Sequence, residues 1–123
     1  MSGRTIDETA LADELVAILG RLIALPSTVP PGDTREIAAF ASQRLRSAGY
    51  ATETASRAQG LDNVVATLGA GAPWVVFNVH ADTVDAGSRA DWRTDPFEGV
   101  RDDGRVIGLG AANCKGGMAV HLW

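Results

Sequence analysis

Apolar residues three or four positions apart predict two helices in the first part of the chain. The stretch "IDETALADELVAILGRLIAL", residues 6–25, has leucines and isoleucine at helical spacing. Acidic residues occur early in this stretch, where the positive end of the helix dipole favours them. The prolines and glycine of "PSTVPPGD" end the helix by forcing a turn. The residues that form its apolar face are Leu11, Leu15, Ile18 and Leu22.

The second predicted helix, "REIAAFASQRLRSAG", covers residues 35–49. Asp33 or Thr34 is expected to cap its start, and Gly49 to end it. Its buried stripe contains Ile37, Phe40, Ala41 and Leu45.

The pattern changes after the second helix and predicts strands. Two short β-branched stretches, residues 50–54 and 63–69, are typical of strands. The near-continuous apolar run "PWVVFNVH", residues 73–80, predicts a strand covered on both faces. A turn at Asp102-Asp103-Gly104 between apolar pieces predicts a hairpin over residues 97–110.

The last segment, "CKGGMAVHLW", residues 114–123, begins like a helix after a glycine-rich loop. Helices followed by strands and another helix indicate an α/β layered domain.

Composition narrows the functional classes. The chain has 123 residues, 46% of them hydrophobic, and a net charge of −4, which fits one domain or a piece of a larger one. The chain has no basic patch to suggest nucleic-acid binding and no apolar segment long enough to cross a membrane. Residues 1–10 lack the apolar segment of a signal peptide. The single cysteine, Cys114, excludes an internal disulfide and fits a reducing compartment, so we expect a soluble, cytoplasmic protein.

A His-x-Asp triplet follows the apolar run. His80 and Asp82 are two residues apart, so on an extended chain their side chains project to the same side. Neutral imidazole is a good zinc ligand, and a nearby carboxylate can orient it. Taken alone, the triplet favours a simpler interpretation, a polar strand end followed by a turn, because such triplets are common by chance.

The glycine-rich stretch "GLGAANCKGG", residues 108–117, precedes the last helix and contains Asn113. Its glycines allow close backbone approach. A phosphate-binding loop is disfavoured, because no serine or threonine follows Lys115 at the required spacing.

Taken together, "NVHADTVDAG" and "DWRTDPFEGVRDDGRVIGLGAANCKGG" resemble the zinc aminopeptidase-like amidohydrolases. This family includes acetylornithine deacetylase, succinyl-diaminopimelate desuccinylase, aminoacylase-1 and carboxypeptidase G. Its members have a His-x-Asp after an apolar strand, then a Trp and Asp-Pro-Phe, a hairpin, and a loop ending in Asp-x-Lys-Gly-Gly. Upstream, "LIALPSTVPPGD" resembles the family's first helix and its exit. The resemblance covers essentially the whole chain in the same order.

The resemblance implies a fold and a chemistry. Residues 1–123 would be the N-terminal part of a three-layer α/β/α zinc-exopeptidase-like catalytic domain, incomplete and with no second domain. His80 would bind one metal of a two-zinc site, Asp82 would be the catalytic-site carboxylate that orients it, and Asn113 would occupy the position of the carboxylate that bridges both metals. The family hydrolyses an amide bond in an N-acyl amino acid or small peptide.

Two departures from the family pattern matter. Asn113 is neutral where the family has aspartate, which weakens the metal pair, so one zinc ion or none is expected. The family's glutamate base, a further acidic ligand and the last histidine come later than Trp123, and we expect the chain to be inactive alone. Cys114 is an alternative zinc ligand, but a buried structural thiol is favoured. His121, at helical spacing beside Val120 and Leu122, is expected to be a packed or partly exposed residue rather than a ligand.

Two functions therefore stay open. The first is a metal-dependent deacetylase or peptidase acting on a small N-acyl amino acid or peptide, in which a missing C-terminal part or a separate chain completes the site. The second is a non-catalytic binding or remnant module that has lost the metal chemistry. Neither nucleic acid nor membrane is expected as a partner. Unpaired strand edges are expected to favour aggregation or a homo-oligomer.

Overall fold

The first helix is α1, Glu8–Ile23, in a computed structural model that describes residues 6–123. Asp7 caps it, and its carboxylate accepts hydrogen bonds from the backbone N–H of Thr9 at 3.0 Å and of Ala10 at 3.3 Å. The predicted helix over residues 6–25 is therefore confirmed. Residues 1–5, half of the segment from which the lack of a signal peptide was predicted, lie outside the described residues.

The second helix, α2, covers Arg35–Ser47 and confirms the second prediction. Thr34 occupies the N-cap position, but its hydroxyl does not cap the helix. It donates to the carbonyl of Asp62 at 2.9 Å and accepts from the Asp62 N–H at 2.7 Å, which attaches the start of α2 to a strand. Gly49 follows the helix with φ +92°, a left-handed conformation that glycine adopts without strain.

Strands β1, Ala51–Ala58, and β2, Leu61–Thr67, form an antiparallel pair. Both were predicted, although β1 extends four residues further than its β-branched stretch. The Ser42 and Thr52 hydroxyls lie 3.0 Å apart and join α2 to β1.

A second antiparallel pair, β3, Val100–Asp102, and β4, Arg105–Ile107, confirms the predicted hairpin. The two residues between the strands both have positive φ, +45° at Asp103 and +73° at Gly104. This is the backbone of the tight turn that matches strand twist in two-residue hairpins.

The prediction of a buried strand over residues 73–80 is wrong. Among the described residues this segment pairs with no strand, and the two sheets are built from other segments. Trp74, Val75, Val76 and Phe77 are 63%, 74%, 82% and 74% exposed. An apolar run becomes a doubly covered strand only where other strands flank it and other layers cover it, and the described chain supplies neither.

The core lies between α1, α2 and a short last helix, α3, Gly116–Leu122. The fold is α/β, with helices packed together and two small antiparallel sheets among residues 6–123. None of the described helices is long and apolar enough to span a bilayer. The buried cluster consists of Ile18, Leu22, Ile37, Ala41, Met118, Ala119 and Leu122.

Candidate functional site

The segment that carries the His-x-Asp triplet is attached to the exit of α1. The Thr83 N–H donates to the Ser27 carbonyl at 2.9 Å, and the Val29 N–H donates to the Thr83 carbonyl at 2.8 Å. The Ser27 hydroxyl, itself buried, donates to the Ala81 carbonyl at 2.7 Å. The proline-rich exit of α1 therefore fixes the backbone on both sides of Asp82.

The glycine-rich loop places Asn113 opposite that segment. Gly110 has φ +77°, and a β-carbon there would lie 2.7 Å from the Thr83 side chain, so only glycine lets the two segments approach so closely. The loop closes through the Lys115 N–H, which donates to the Gly110 carbonyl at 2.9 Å. Asn113 lies within this closed turn with non-helical backbone angles.

His80 and Asn113 meet although 33 residues separate them in sequence. His80 Nε2 lies 3.0 Å from Asn113 Oδ1. The sequence predicted that these two side chains converge, and the structure brings them into hydrogen-bond contact. Their role as metal ligands stays a prediction.

Asp82 contacts the other ring nitrogen of His80 mainly through its backbone. The Asp82 carbonyl oxygen lies 2.9 Å from His80 Nδ1, whereas the Asp82 carboxylate oxygen lies 3.5 Å away. A backbone carbonyl can only accept, so Nδ1 carries the hydrogen. In neutral imidazole this fixes the tautomer and leaves Nε2 as an acceptor, so Nε2 can donate to the Asn113 oxygen only when the ring is protonated.

The pKa of His80 is raised above its ordinary value of 6.5. The hydrogen bond with Asn113 is the main cause, followed by the bond to the Asp82 carbonyl. With the Asn113 oxygen toward the ring, both partners are acceptors. Both ring nitrogens must then donate, and only the imidazolium does that.

A cavity of about 110 Å³ lies beside the pair and has room for a cation-sized group with water. Thr83, which sequence reasoning missed, is among its lining residues. The Thr83 hydroxyl is buried and has no hydrogen-bond partner in the part of the chain that the structure describes. A free polar group at a cavity is a place for a water molecule or ligand atom. The lining residues are His80, Asp82, Thr83, Val84, Leu109, Gly110 and Asn113.

Lys115, the second residue that sequence reasoning missed, is only 1% exposed. Its Nζ donates to the carbonyl oxygens of Leu22 at 2.7 Å and Leu25 at 2.9 Å, at the end of α1. Burial lowers the pKa of this amine to about 8, because the charged form loses water. Lysines are almost never fully buried, so no pattern in a single sequence would have indicated this position.

The remaining candidates lie outside the cavity lining. Cys114 is partly buried, and its sulfur lies 3.7 Å from where a β-carbon on Gly117 would be. His121 is exposed and lies against Phe77, with ring centroids 5.4 Å apart. That neither residue is a metal ligand stays a prediction.

The pair of donor atoms can be compared with a zinc shell. Two ligands at about 2.0–2.2 Å from zinc in tetrahedral geometry are about 3.3–3.6 Å apart, somewhat more than the 3.0 Å between His80 Nε2 and Asn113 Oδ1. Within residues 6–123, no group of three or more histidines, cysteines or acids is arranged to hold a metal. His80 and Asn113 alone would therefore make an incomplete shell.

A larger groove of about 450 Å³ lies between α2 and the end of α3. Among the described residues, its lining has no histidine and no aspartate or glutamate side chain. The smaller cavity is lined by both His80 and Asp82.

Comparison with known proteins agrees with this location. Residues 76–123, which contain the pair and the cavity, match the model of peptidase family M20/M25/M40.

Curated relatives match over more of the chain. Succinyl-diaminopimelate desuccinylase of Bordetella pertussis is 39% identical over 111 residues, 90% of this chain and 28% of the relative. The enzyme of the same name from Beijerinckia indica is 40% identical over 102 residues, covering 80% of this chain and 26% of the relative. That from Xanthomonas euvesicatoria is 43% identical over 96 residues, 78% of this chain and 25% of the relative. The chain thus spans about a quarter of the length of these relatives, and these matches support its resemblance to peptidase family M20/M25/M40.

Proposed function

We propose that this chain contributes to the active site of a metal-dependent hydrolase that cleaves the amide bond of a small N-acyl amino acid or peptide. The observation that carries the proposal is the 3.0 Å contact between His80 Nε2 and Asn113 Oδ1 beside a cavity. The contact lies inside the segment that matches the peptidase family model.

Each site residue has a distinct role in this proposal. His80 and Asn113 would hold a zinc ion, His80 through Nε2 and Asn113 through its amide oxygen. Asp82 fixes the His80 ring, through its carbonyl at 2.9 Å and with its carboxylate nearby. Zinc, when bound, polarises a carbonyl and lowers the pKa of water, which is what amide hydrolysis needs.

The neutral side chain of Asn113 supports one zinc ion rather than two. A carboxylate offers two anionic oxygens and can join two cations, whereas a carboxamide offers one neutral acceptor oxygen. The second metal of the family's site would therefore be held weakly or not at all.

We also propose that residues 1–123 form part of a three-layer α/β/α catalytic domain. The exposed apolar side chains of residues 74–77 support this, because they leave an apolar surface that further parts of such a domain would cover.

The substrate class follows from the relatives. Three of them are named succinyl-diaminopimelate desuccinylase. We infer that an N-succinyl or N-acetyl amino acid is the first substrate to test, ahead of a dipeptide.

The test measures zinc content and amide hydrolysis together. The protein is expected to bind zinc, and His80→Ala to lower its zinc affinity by at least about tenfold, since changes in a metal's surroundings typically cost that much. The matched control is His121→Ala, which removes the chain's only other histidine and leaves the cavity unchanged. Equal zinc affinity in both variants would exclude His80 as a ligand.

Hydrolysis is then followed with N-succinyl-diaminopimelate and N-acetyl amino acids, with and without added zinc. Asn113→Asp restores a carboxylate, and we expect it to raise the bound zinc per chain. An Asn113→Asp variant with no change in metal content would show that this position does not face the cation.

A non-catalytic binding module is the second candidate. It is favoured by one observation, the lack of a three-residue metal cluster within residues 6–123. Since the chain is expected to be inactive alone, hydrolysis is also measured after adding the remaining catalytic-domain segment of a desuccinylase relative. Zinc bound at one ion per chain without hydrolysis in that mixture would support this function over the first.

A further inference from the structure

Lys115 joins the loop of Asn113 to the end of α1. Its Nζ lies 2.7 Å from the Leu22 carbonyl and 2.9 Å from the Leu25 carbonyl. The last carbonyls of a helix have no partner within the helix. An ammonium group is favoured there by the helix dipole. The Leu22 carbonyl also accepts from the Leu25 N–H at 3.3 Å. Lys115 thus adds a second bond at the helix end and ties the loop to it.

Within residues 6–123, Lys115 forms no ion pair with a carboxylate. The four ion pairs between side chains of this range involve other residues. In the same range, the Lys115 side chain has two hydrogen-bond partners, and both are backbone carbonyl oxygens. Backbone atoms move less than side-chain atoms do. Lys115 is therefore held at a fixed place relative to α1.

The surrounding loop is shaped around the lysine stem. A β-carbon on Gly110 would lie 3.4 Å from Lys115 Cδ and 3.5 Å from its Cγ. At Gly108 a β-carbon would lie 2.6 Å from the Ile23 side chain. The lack of a side chain at Gly108 allows the loop to pack closely against α1. The lack of one at Gly110 leaves room for the Lys115 stem.

The backbone of Lys115 fixes the same loop a second time. Its N–H donates to the Gly110 carbonyl at 2.9 Å and closes the turn that contains Asn113. Asn113 is two residues before Lys115, so a shift of Lys115 moves Asn113 directly. The 3.0 Å distance between Asn113 Oδ1 and His80 Nε2 therefore depends on the position of Lys115.

We propose that Lys115 is a positioning residue, which holds Asn113 against His80 by bonding the loop to the carbonyl end of α1. The inference rests on the proposed metal site, because a fixed distance between His80 and Asn113 matters only if both side chains bind one cation. It assigns to the buried lysine a task beyond stabilising the fold: setting the distance between two donor atoms.

The test compares Lys115→Met with Ile37→Ala. Methionine has a similar length and no N–H donors, so it removes the two bonds while filling the space. Ile37 is fully buried on α2, and its truncation destabilises the core without touching the loop. The readout is the nuclear Overhauser contact between the His80 ring and the Asn113 side chain in metal-free protein. We expect Lys115→Met to lose it and Ile37→Ala to keep it.

Two further variants keep the test decisive. Lys115→Arg retains donors for the same carbonyls and is expected to keep the contact. If Lys115→Met does not fold, Lys115→Gln replaces it, because glutamine keeps a donor but is shorter, and the contact is expected to weaken. An unchanged contact in the folded Met or Gln variant, or an Arg variant that loses the contact as fully as Met, would overturn the proposal.

Cobalt(II) binding gives a second readout. Lys115→Met is expected to weaken cobalt affinity about tenfold or more. Ile37→Ala is expected to stay within about twofold of the unmodified protein, as distant changes act independently. If the unmodified protein binds no cobalt or zinc, the proposed function fails, while the metal-free contact still decides the role of Lys115.

Discussion

The two sides of the candidate site are held very differently. Asn113 belongs to a loop that packs on α1 through Lys115 and Gly108, next to side chains of α1 that are fully buried. His80 ends a run whose residues 74–77 are largely exposed, although its neighbours Val79 and Ala81 pack against the core from partly buried positions. Three hydrogen bonds to the exit of α1 also fix the backbone of this segment. One donor is thus held by a buried lysine and close packing on a helix, and the other by partly buried contacts and hydrogen bonds between neighbouring segments.

The largest expected effect concerns the core beneath the loop. Leu22 is completely buried in α1, and Leu22→Ala should cost about 2–5 kcal/mol of unfolding free energy, since it leaves a cavity. Val76→Ala, in the run before His80, should change stability by less than about 0.5 kcal/mol. Urea unfolding of both variants checks the contrast. Equal losses would show that the run before His80 is packed as tightly as α1.

Gly108 is the next test of the packed side. Gly108→Ala places a β-carbon 2.6 Å from the buried Ile23 side chain and should cost about 1–3 kcal/mol through overpacking. Gly20→Ala is the matched control, because a β-carbon there meets nothing within 4 Å and should stabilise α1 by about 0.5–1 kcal/mol. Thermal melting of the two variants should therefore move in opposite directions.

Ser27 tests the weaker side. Ser27→Ala removes the 2.7 Å bond to the Ala81 carbonyl and leaves that oxygen without its partner, at a cost of about 1–2 kcal/mol. Hydrogen exchange is expected to quicken at Val29 and Thr83 and to stay unchanged at Lys115. The control is Ser47→Ala, whose hydroxyl bonds to its own helix at the surface. Faster exchange throughout the glycine-rich loop would show that the two sides are not independent.

The smallest effect is in pH dependence. The pKa of His80 is raised in the folded protein, so the folded state binds a proton more tightly than the unfolded state. The resulting stability is fully present below pH 6.5 and is lost as pH rises through the folded pKa. Asn113→Ala removes the main cause, and the His80 pKa, followed by NMR titration, should fall toward its ordinary value. A His80 pKa that is the same in Asn113→Ala as in the unmodified protein would show that the His80–Asn113 hydrogen bond does not raise it.

Local patterns were sufficient for the helices and the hairpin. Apolar spacing located α1 and α2, and the Asp-Asp-Gly turn located β3 and β4, because these depend on residues near one another in sequence. The apolar run over residues 73–80 was misjudged, because a strand's existence depends on neighbours that its own sequence does not contain.

The site was predicted only in part. The convergence of His80 and Asn113 came from the order of motifs along the chain and could not have come from spacing across 33 residues. Sequence reasoning expected the carboxylate of Asp82 beside His80, whereas the backbone carbonyl makes the closer contact. Such detail depends on backbone direction at one residue. The burial of Lys115 depends on the carbonyls of a distant helix end, which no local pattern shows.

The paired acceptors around the His80 ring tie metal loading to acidity. A cation that binds Nε2 has to displace a proton. The raised pKa means that His80 binds this proton more tightly than an imidazole free in water does. Near neutral pH, zinc uptake should therefore release protons to the buffer. The heat measured by calorimetry should accordingly vary with the ionisation enthalpy of the buffer chosen.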